Sequence, residues 1–311
     1  MPTDARPVVL LGPQRHDPSL IEAIDALGIR GPVAAITAGW EEREDEDDEL
    51  AAHLRGRAVN LRVFARVDVI YQRDPELHRA LLRRYETIRK LRDLYRLRLD
   101  HALATVRELA ETHAAPALLE PEIEHALAVV RDLDRHYLGR VAEIHARFLR
   151  RWSPAERDLV ARQREEVAAV LRNVEALCVA GGHVGVLLNR MRLLGLPELA
   201  GDLPIVAWSG GAMVLGERVV LFHDGPPQGA GNAEVFEPGL GAYRGVVPLP
   251  HARRRLRLDD PVRMALFARR FAPDCCVAML AGSNLARANG AWTANAHAPT
   301  LEAGPLGRNA R

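Results

Sequence analysis

The sequence predicts an α/β protein, a doubly wound parallel sheet interrupted by a long helical insertion. Three observations predict it. Short, fully apolar runs end in glycine or serine, as buried parallel strands do. Helical segments with their own start and stop signals lie between those runs. From Asp74 to Trp152 the strand signal vanishes, and apolar residues recur at spacings of three and four. This divides the chain into an α/β domain at 1–73 and 174–311 and a helical insertion at 74–173, either a hairpin or a three-helix arm.

The elements follow in order. "PVVLLG" (7–12) reads as the first buried strand. Asp17 and Pro18 supply an N-cap and a first helical position, and that helix runs to about Gly28. "PVAAITAGW" (32–40) is a second strand, and the acidic run "EEREDEDDE" (41–49) reads as a solvated loop and helix start. "AVNLRVF" (58–64) alternates and predicts a third strand. Asp74-Pro75 repeats the cap pair. Leu77, Leu81, Tyr85, Ile88, Leu91, Tyr95 and Leu99 begin a helical stripe that continues to Leu109. Pro116 and Pro121 break it, and a second helix carries Ile123 to Phe148 on one face. "SPAE" (153–156) has the pattern of a capping box, with Ser153 as cap and Glu156 reaching back, for a third helix ending near Val174. Then "EALCVAGG" (175–182) is a strand, "VGVLLNRMRLLG" (184–195) a helix closed by Gly195, and "LPIVAW" (203–208) the next strand.

Composition narrows the function. The chain has 311 residues, 48% of them hydrophobic, and a net charge of +1. That suffices for one large α/β domain with an elaboration, and it gives no global field toward nucleic acid or membrane. Lys90 is the only lysine, so the arginine content reflects overall composition more than phosphate binding. Eight basic residues lie between Arg79 and Arg98 against Glu86 and Asp93, which reads as a solvated helix face. Cys178, Cys275 and Cys276 sit in apolar runs and read as reduced thiols. The opening "MPTDARPVVLLG" has too short an apolar run for a signal peptide, and no stretch approaches the ~20 apolar residues of a membrane span. A cytoplasmic protein without metal or cofactor is expected.

The chemistry is expected at the carboxyl ends of the strands. "IVAWSGGAMVLG" (205–216) places Ser209 at such an end, between a strand and a helix, with Gly210 and Gly211 behind it. That is the context of a nucleophile elbow, whose sharp turn exposes a hydroxyl and leaves no room for neighbouring side chains. A base is needed, and His223, His251 and His297 all lie downstream. His223 with Asp224 follows "RVVLF" (218–222), and His251 follows "YRGVVPLP" (243–250); spacing alone leaves the choice open.

"AWSGGAM", "CVAGGHVGVLLNRMRLLGL" and "GLGAYRGVVPLPHARRRLRL" resemble the elbow, the Gly-Gly segment and the histidine segment of the S51 serine peptidases, the family of cyanophycinase and dipeptidase E. The resemblance covers 170–280 well and 7–70 weakly, and it leaves out the insertion. It implies the fold of class I glutamine amidotransferase-like proteins, which is flavodoxin-like. It also implies Ser209 as nucleophile, His251 as base, and Gly182 and Gly210 as oxyanion-hole donors. For the acid, Asp224 is the first choice, with Glu234 and Glu237 behind it. His183 falls where the family holds substrate, although an amide-bearing residue is usual after the Gly-Gly pair. Gly210 stands where the family usually has alanine, and "VAMLAGSNL" (277–285) lacks the expected late acid. The function expected is hydrolysis of a short peptide or an aspartyl-type isopeptide bond. The competing reading is a non-catalytic binding or assembly module that works through its helical arm. The long apolar stripes of the insertion further predict a homodimer.

Overall fold

The computed structural model describes residues 6–16, 18–224 and 231–304. β1 (Val8–Leu11) leads to α1 (Leu20–Ala26). Asp17, read as the cap of this helix, lies outside the described residues. The turn before the helix is held by Gln14, whose carboxamide accepts from Ser19 N at 2.9 Å and donates to Gly12 O at 2.9 Å. β2 (Val33–Ile36) passes through a 3-10 segment (Ala38–Arg43) to α2 (Asp48–His53) and β3 (Ala58–Asn60).

The third strand stops earlier than its alternation predicts. Asn60 Oδ1 accepts from Arg62 N, and Arg62 turns left-handed (φ 50°), so Val63 already starts α3 (Val63–Arg73). Glu44, from the acidic run, is buried there and accepts from Phe64 N at 2.8 Å and Ala65 N at 2.9 Å. The run is therefore not simply a solvated loop. One of its carboxylates satisfies the free N–H groups at the start of a helix.

α4 (Pro75–Glu111) and α5 (Pro116–Trp152) form an antiparallel pair, each about 55 Å long at 1.5 Å per residue. Asp74 caps α4 by accepting from Leu77 N at 3.0 Å. Pro116 opens α5. Pro121 lies inside it rather than breaking it, early enough in the helix to be absorbed near its amino end. Ser153 makes no side-chain cap: it is left-handed (φ 37°), and a 3-10 turn (Pro154–Glu156) precedes α6 (Asp158–Leu171). α6 packs against α3 and against the two helices that follow β4 (Ala176–Val179), namely α7 (Val184–Leu194) and α8 (Leu196–Leu199). The long pair is thus a two-helix hairpin.

β5 (Ile205–Trp208) and α9 (Gly210–Leu215) follow, then β6 (Arg218–Leu221), β7 (Glu234–Pro238) and β8 (Val246–Pro250). α10 (Ala252–Arg255), α11 (Pro261–Phe271), β9 (Cys275–Met279), β10 (Asn284–Ala288) and β11 (Ala291–Ala294) complete the described chain. The main sheet has seven strands in the order β11-β10-β1-β5-β4-β2-β3. Its five strands from β1 to β3 are parallel, and β10 and β11 add an antiparallel edge. β6–β7 is a separate antiparallel ribbon and β8–β9 a separate parallel pair.

Strand alternation builds two cores. Val9, Leu11, Val33, Ala35, Cys178 and Val206 face α1 and α2. Val8, Leu10, Ala34, Ile36, Val179 and Ile205 face the other way, in the core that α3, α7 and α9 share. The sheet is therefore covered on both faces, as a parallel sheet must be. Among the described residues, no helix is long and apolar enough to cross a membrane, and no cluster of three or more His, Cys, Asp or Glu side chains is placed to hold a metal.

Candidate active site

Three glycine-bearing strand ends converge at the carboxyl edge of the sheet: Gly39 after β2, Gly181-Gly182 after β4, and Gly210-Gly211 after β5. They touch through backbone. A β-carbon on Gly39 would come within 2.5 Å of Gly181 O, and one on Gly211 within 2.2 Å of Val179 O. Gly182 adopts φ +116° and donates no room to a side chain either, since Gly39 O would lie 2.2 Å from its β-carbon. His183 N donates to Gly39 O at 2.7 Å, which ties the first two ends together.

Ser209 stands where these ends meet. Its backbone is at φ 52°, ψ −127°, a conformation that costs a non-glycine residue about 1–3 kcal/mol and persists only where the surroundings impose it. The buried helix α9 behind it and the absent side chain at Gly181 impose it here. A β-carbon on Gly181 would lie 2.9 Å from Ser209 Oγ and 3.2 Å from Gly210 N. Among the described residues, no hydrogen bond from Gly182 N or Gly210 N to a protein acceptor is made.

His251 approaches from the β8–β9 pair. The segment before β8 is laced to α9: Leu240 N donates to Val214 O at 2.8 Å, Ala242 N to Leu215 O at 2.8 Å, and the buried Tyr243 hydroxyl to Ala212 O at 2.7 Å. β8 therefore runs alongside the helix that Ser209 begins. His251 ends that strand in a left-handed turn (φ 57°, ψ 31°), and its Nε2 lies 3.2 Å from Ser209 Oγ. Burial, and then the neighbouring Arg255 and Arg254, push its pKa below the ordinary histidine value. That shift favours the neutral imidazole, which can accept a proton.

The carboxylates considered for the third position are engaged elsewhere. Asp224 accepts from Arg263 Nε at 2.8 Å and from Arg257 N at 3.1 Å. Glu234 pairs with Arg96 and Glu237 with His145 and Arg192. Among the described residues no carboxylate hydrogen-bonds His251. Asp224, the first choice of acid for His251, lies after β6 and pairs instead with Arg263 of α11. His183, expected to hold substrate, caps α7 by accepting from Val186 N at 3.1 Å on Nδ1. Its exposed ring lies outside the pocket described next.

Beside Ser209 opens a cavity of about 430 Å³. Gly181, Gly182, Ser209 and His251 form one side of it. Trp208, Trp40, Leu20 and Leu50 supply apolar wall, and Arg15, Arg43, Glu46, Glu49 and His53 supply a polar rim. Sequence reasoning missed the contribution of 40–53. The available signal was the place of Gly39-Trp40, directly after a buried strand that ends at the same edge as β5. Chemically, the arrangement offers a hydroxyl with an imidazole at hydrogen-bonding distance, both on the wall of a cavity that Gly181 and Gly182 also line.

No protein-family model matches the chain, and no curated protein matches it. Among solved structures, one titled a peptidase from an acI-B1 Actinobacterium is similar at 13% identity, over 97% of this chain and 92% of that one, with a TM-score of 0.46.

Proposed function

We propose that this chain is a serine hydrolase of the S51 type that cleaves a short peptide or an aspartyl-type isopeptide bond. The observation that carries the reading is Ser209 at φ 52°, ψ −127° with its hydroxyl 3.2 Å from His251 Nε2. The resemblance of the segments around Ser209, Gly181-Gly182 and His251 to those of S51 peptidases supports the same reading. Ser209 Oγ attacks the acyl carbonyl while His251 Nε2 takes its proton. The resulting oxyanion is met by the N–H groups of Gly182 and Gly210. The C–N bond breaks as the proton passes to the leaving amine; water, deprotonated by the same imidazole, then attacks the acyl-enzyme, and that proton returns to Ser209 Oγ as the acid leaves.

The test is labelling by diisopropyl fluorophosphate with peptide mapping. The expected result is one adduct, on Ser209, absent from Ser209→Ala. Adducts elsewhere, or none at all, would overturn the assignment.

A second reading has its own observation. With no carboxylate on His251 among the described residues, the imidazolium formed during catalysis lacks the usual partner. The same geometry therefore suits a non-catalytic binding module that keeps the cavity. Complete resistance of Ser209 to the fluorophosphate would favour that module.

A further inference from the structure

We infer that the cavity beside Ser209 selects substrates whose acyl residue carries an aromatic or large aliphatic side chain, seated against Trp40 and Trp208. The inference rests on the serine-hydrolase reading and, of the two bonds named there, favours the short peptide, because the acyl residue of an aspartyl-type isopeptide carries no such side chain.

Charge gives the cavity no preference. The rim of the cavity carries two arginines, Arg15 and Arg43, and two glutamates, Glu46 and Glu49. Their charges cancel. Arg43 is moreover bound to Glu46 at 2.8 Å through Nε, which leaves Arg15 and Glu49 as one charge of each sign on the same rim. A rim with no excess of either sign offers no net attraction for an acidic or a basic side chain. A charged group entering the cavity would meet a like charge as well as an opposite one, and would give up its own hydration.

What remains is the wall. Trp208 is the residue immediately before the nucleophile, and its side chain belongs to the core shared with α1 and α2. Trp40 packs on that same core from the 3-10 segment after β2, and Leu20 and Leu50 close the cavity from α1 and α2. Apolar side chains from four elements thus meet within one cavity that also contains Ser209 and His251. Its volume of about 430 Å³ accommodates a phenylalanyl residue together with the atoms around the scissile bond. Removing an aromatic face from water against two indoles favours such a residue over a polar one of similar size.

The experiment compares diphenyl phosphonates bearing phenylalanine, aspartate and lysine side chains, with diisopropyl fluorophosphate as a small reference probe. The rate of adduct formation on Ser209 is read by mass spectrometry. The phenylalanine probe is expected to react at least about tenfold faster than the other two, and Trp40→Ala to reduce that ratio below about threefold. Should that variant fail to fold, Trp40→Leu serves, with a smaller reduction expected. Labelling by the fluorophosphate combined with equal or faster reaction of the aspartate or lysine probe would overturn the preference and leave the serine hydrolase standing. An unchanged ratio in a folded Trp40 variant would also overturn it. Failure of every probe, the fluorophosphate included, would overturn the hydrolase reading and the preference together.

Discussion

Ser209 and the glycines behind it carry different burdens. The serine supplies the hydroxyl, so Ser209→Ala is expected to abolish labelling and any hydrolysis while the melting temperature stays within a few degrees, measured by calorimetry. Gly211 supplies space. Its β-carbon would press to 2.2 Å from a carbonyl of β4, and the strand backbone cannot retreat without disturbing the sheet. Gly211→Val is expected to cost about 1–3 kcal/mol or more, read as a lowered denaturant midpoint. Gly210 differs, although both glycines follow the serine and the sequence treats them alike. Its β-carbon would stand 3.1 Å from Gly182 O and 3.2 Å from a Val184 methyl group, a crowding that small shifts relieve. Gly210→Ala should therefore fold with a near-parental midpoint. His251 adds a pH dependence. Because burial and two arginines lower its pKa, the acid limb of the labelling rate should have its half-point below pH 6.5, the unperturbed histidine value. Arg255→Gln removes one of those repulsions, so the acid limb of the profile should move to higher pH. A limb that stays put would place the arginine's influence elsewhere. Stability has the same sign. His251 and the buried His145 both have lowered pKa values in the fold, so the unfolded chain binds protons first. The corresponding stability is present above about pH 6.5 and is lost as pH falls through the folded-state values.

At the scale of elements, the strands were the most legible part of the sequence. β1, β2, β4 and β5 are buried along their whole length, and a continuous apolar run has few other destinations. The long helices were legible through their stripe, and α4 through its Asp74-Pro75 start. Failures occurred where a single hydrogen bond, rather than a pattern, decides. Asn60 and Glu44 end a strand and start a helix at Arg62–Val63, and no periodicity announces that. The pairing of Asp224, Glu234 and Glu237 was illegible for a related reason. Each is claimed by an arginine or histidine from a distant helix, and such partners are set by tertiary contacts rather than by sequence spacing. The docking of the hairpin illustrates this. Asp134 on α5 accepts from Arg270 Nε and Nη2 of α11, both at 2.8 Å, and from the Tyr95 hydroxyl of α4 at 2.7 Å. All three side chains are buried. Removing one partner strands a charge in the interior, so Asp134→Ala is expected to destabilise by about 3–5 kcal/mol in chemical denaturation. A change below about 1 kcal/mol would mean that water reaches the pair, as it does at surface ion pairs.

For the molecule as a whole, the hairpin is part of the structure that holds the site, and this alters the argument for self-association. The sequence suggested two apolar stripes with few neighbours, to be covered by a second copy. The chain covers much of them itself. α4 and α5 bury Tyr95, Leu99, Leu103, Val130 and Tyr137, with α5 lying against β7 and α11. Tyr137 donates to Phe236 O at 2.7 Å, and Glu237 joins His145 of α5 at 3.0 Å to Arg192 of α7 at 2.9 Å. A homodimer through the insertion would have to use what stays outside, chiefly the exposed Leu82, Leu94, Leu97 and Leu118. Deletion distinguishes the two roles. Replacing residues 76–150 by a short linker would uncover the apolar face of β7 and α11, and would leave Glu237 without His145 and Arg270 without Asp134. The truncated chain is therefore expected to lose cooperative unfolding, or to melt at least about 10 °C below the parent. Labelling of Ser209 should fall with it, because β7 leads through residues 239–243 to the lacing of α9 that positions His251. A truncated protein that melts like the parent and still labels would show that the hairpin is an appendage, and would return the weight of the argument to a surface contact between copies.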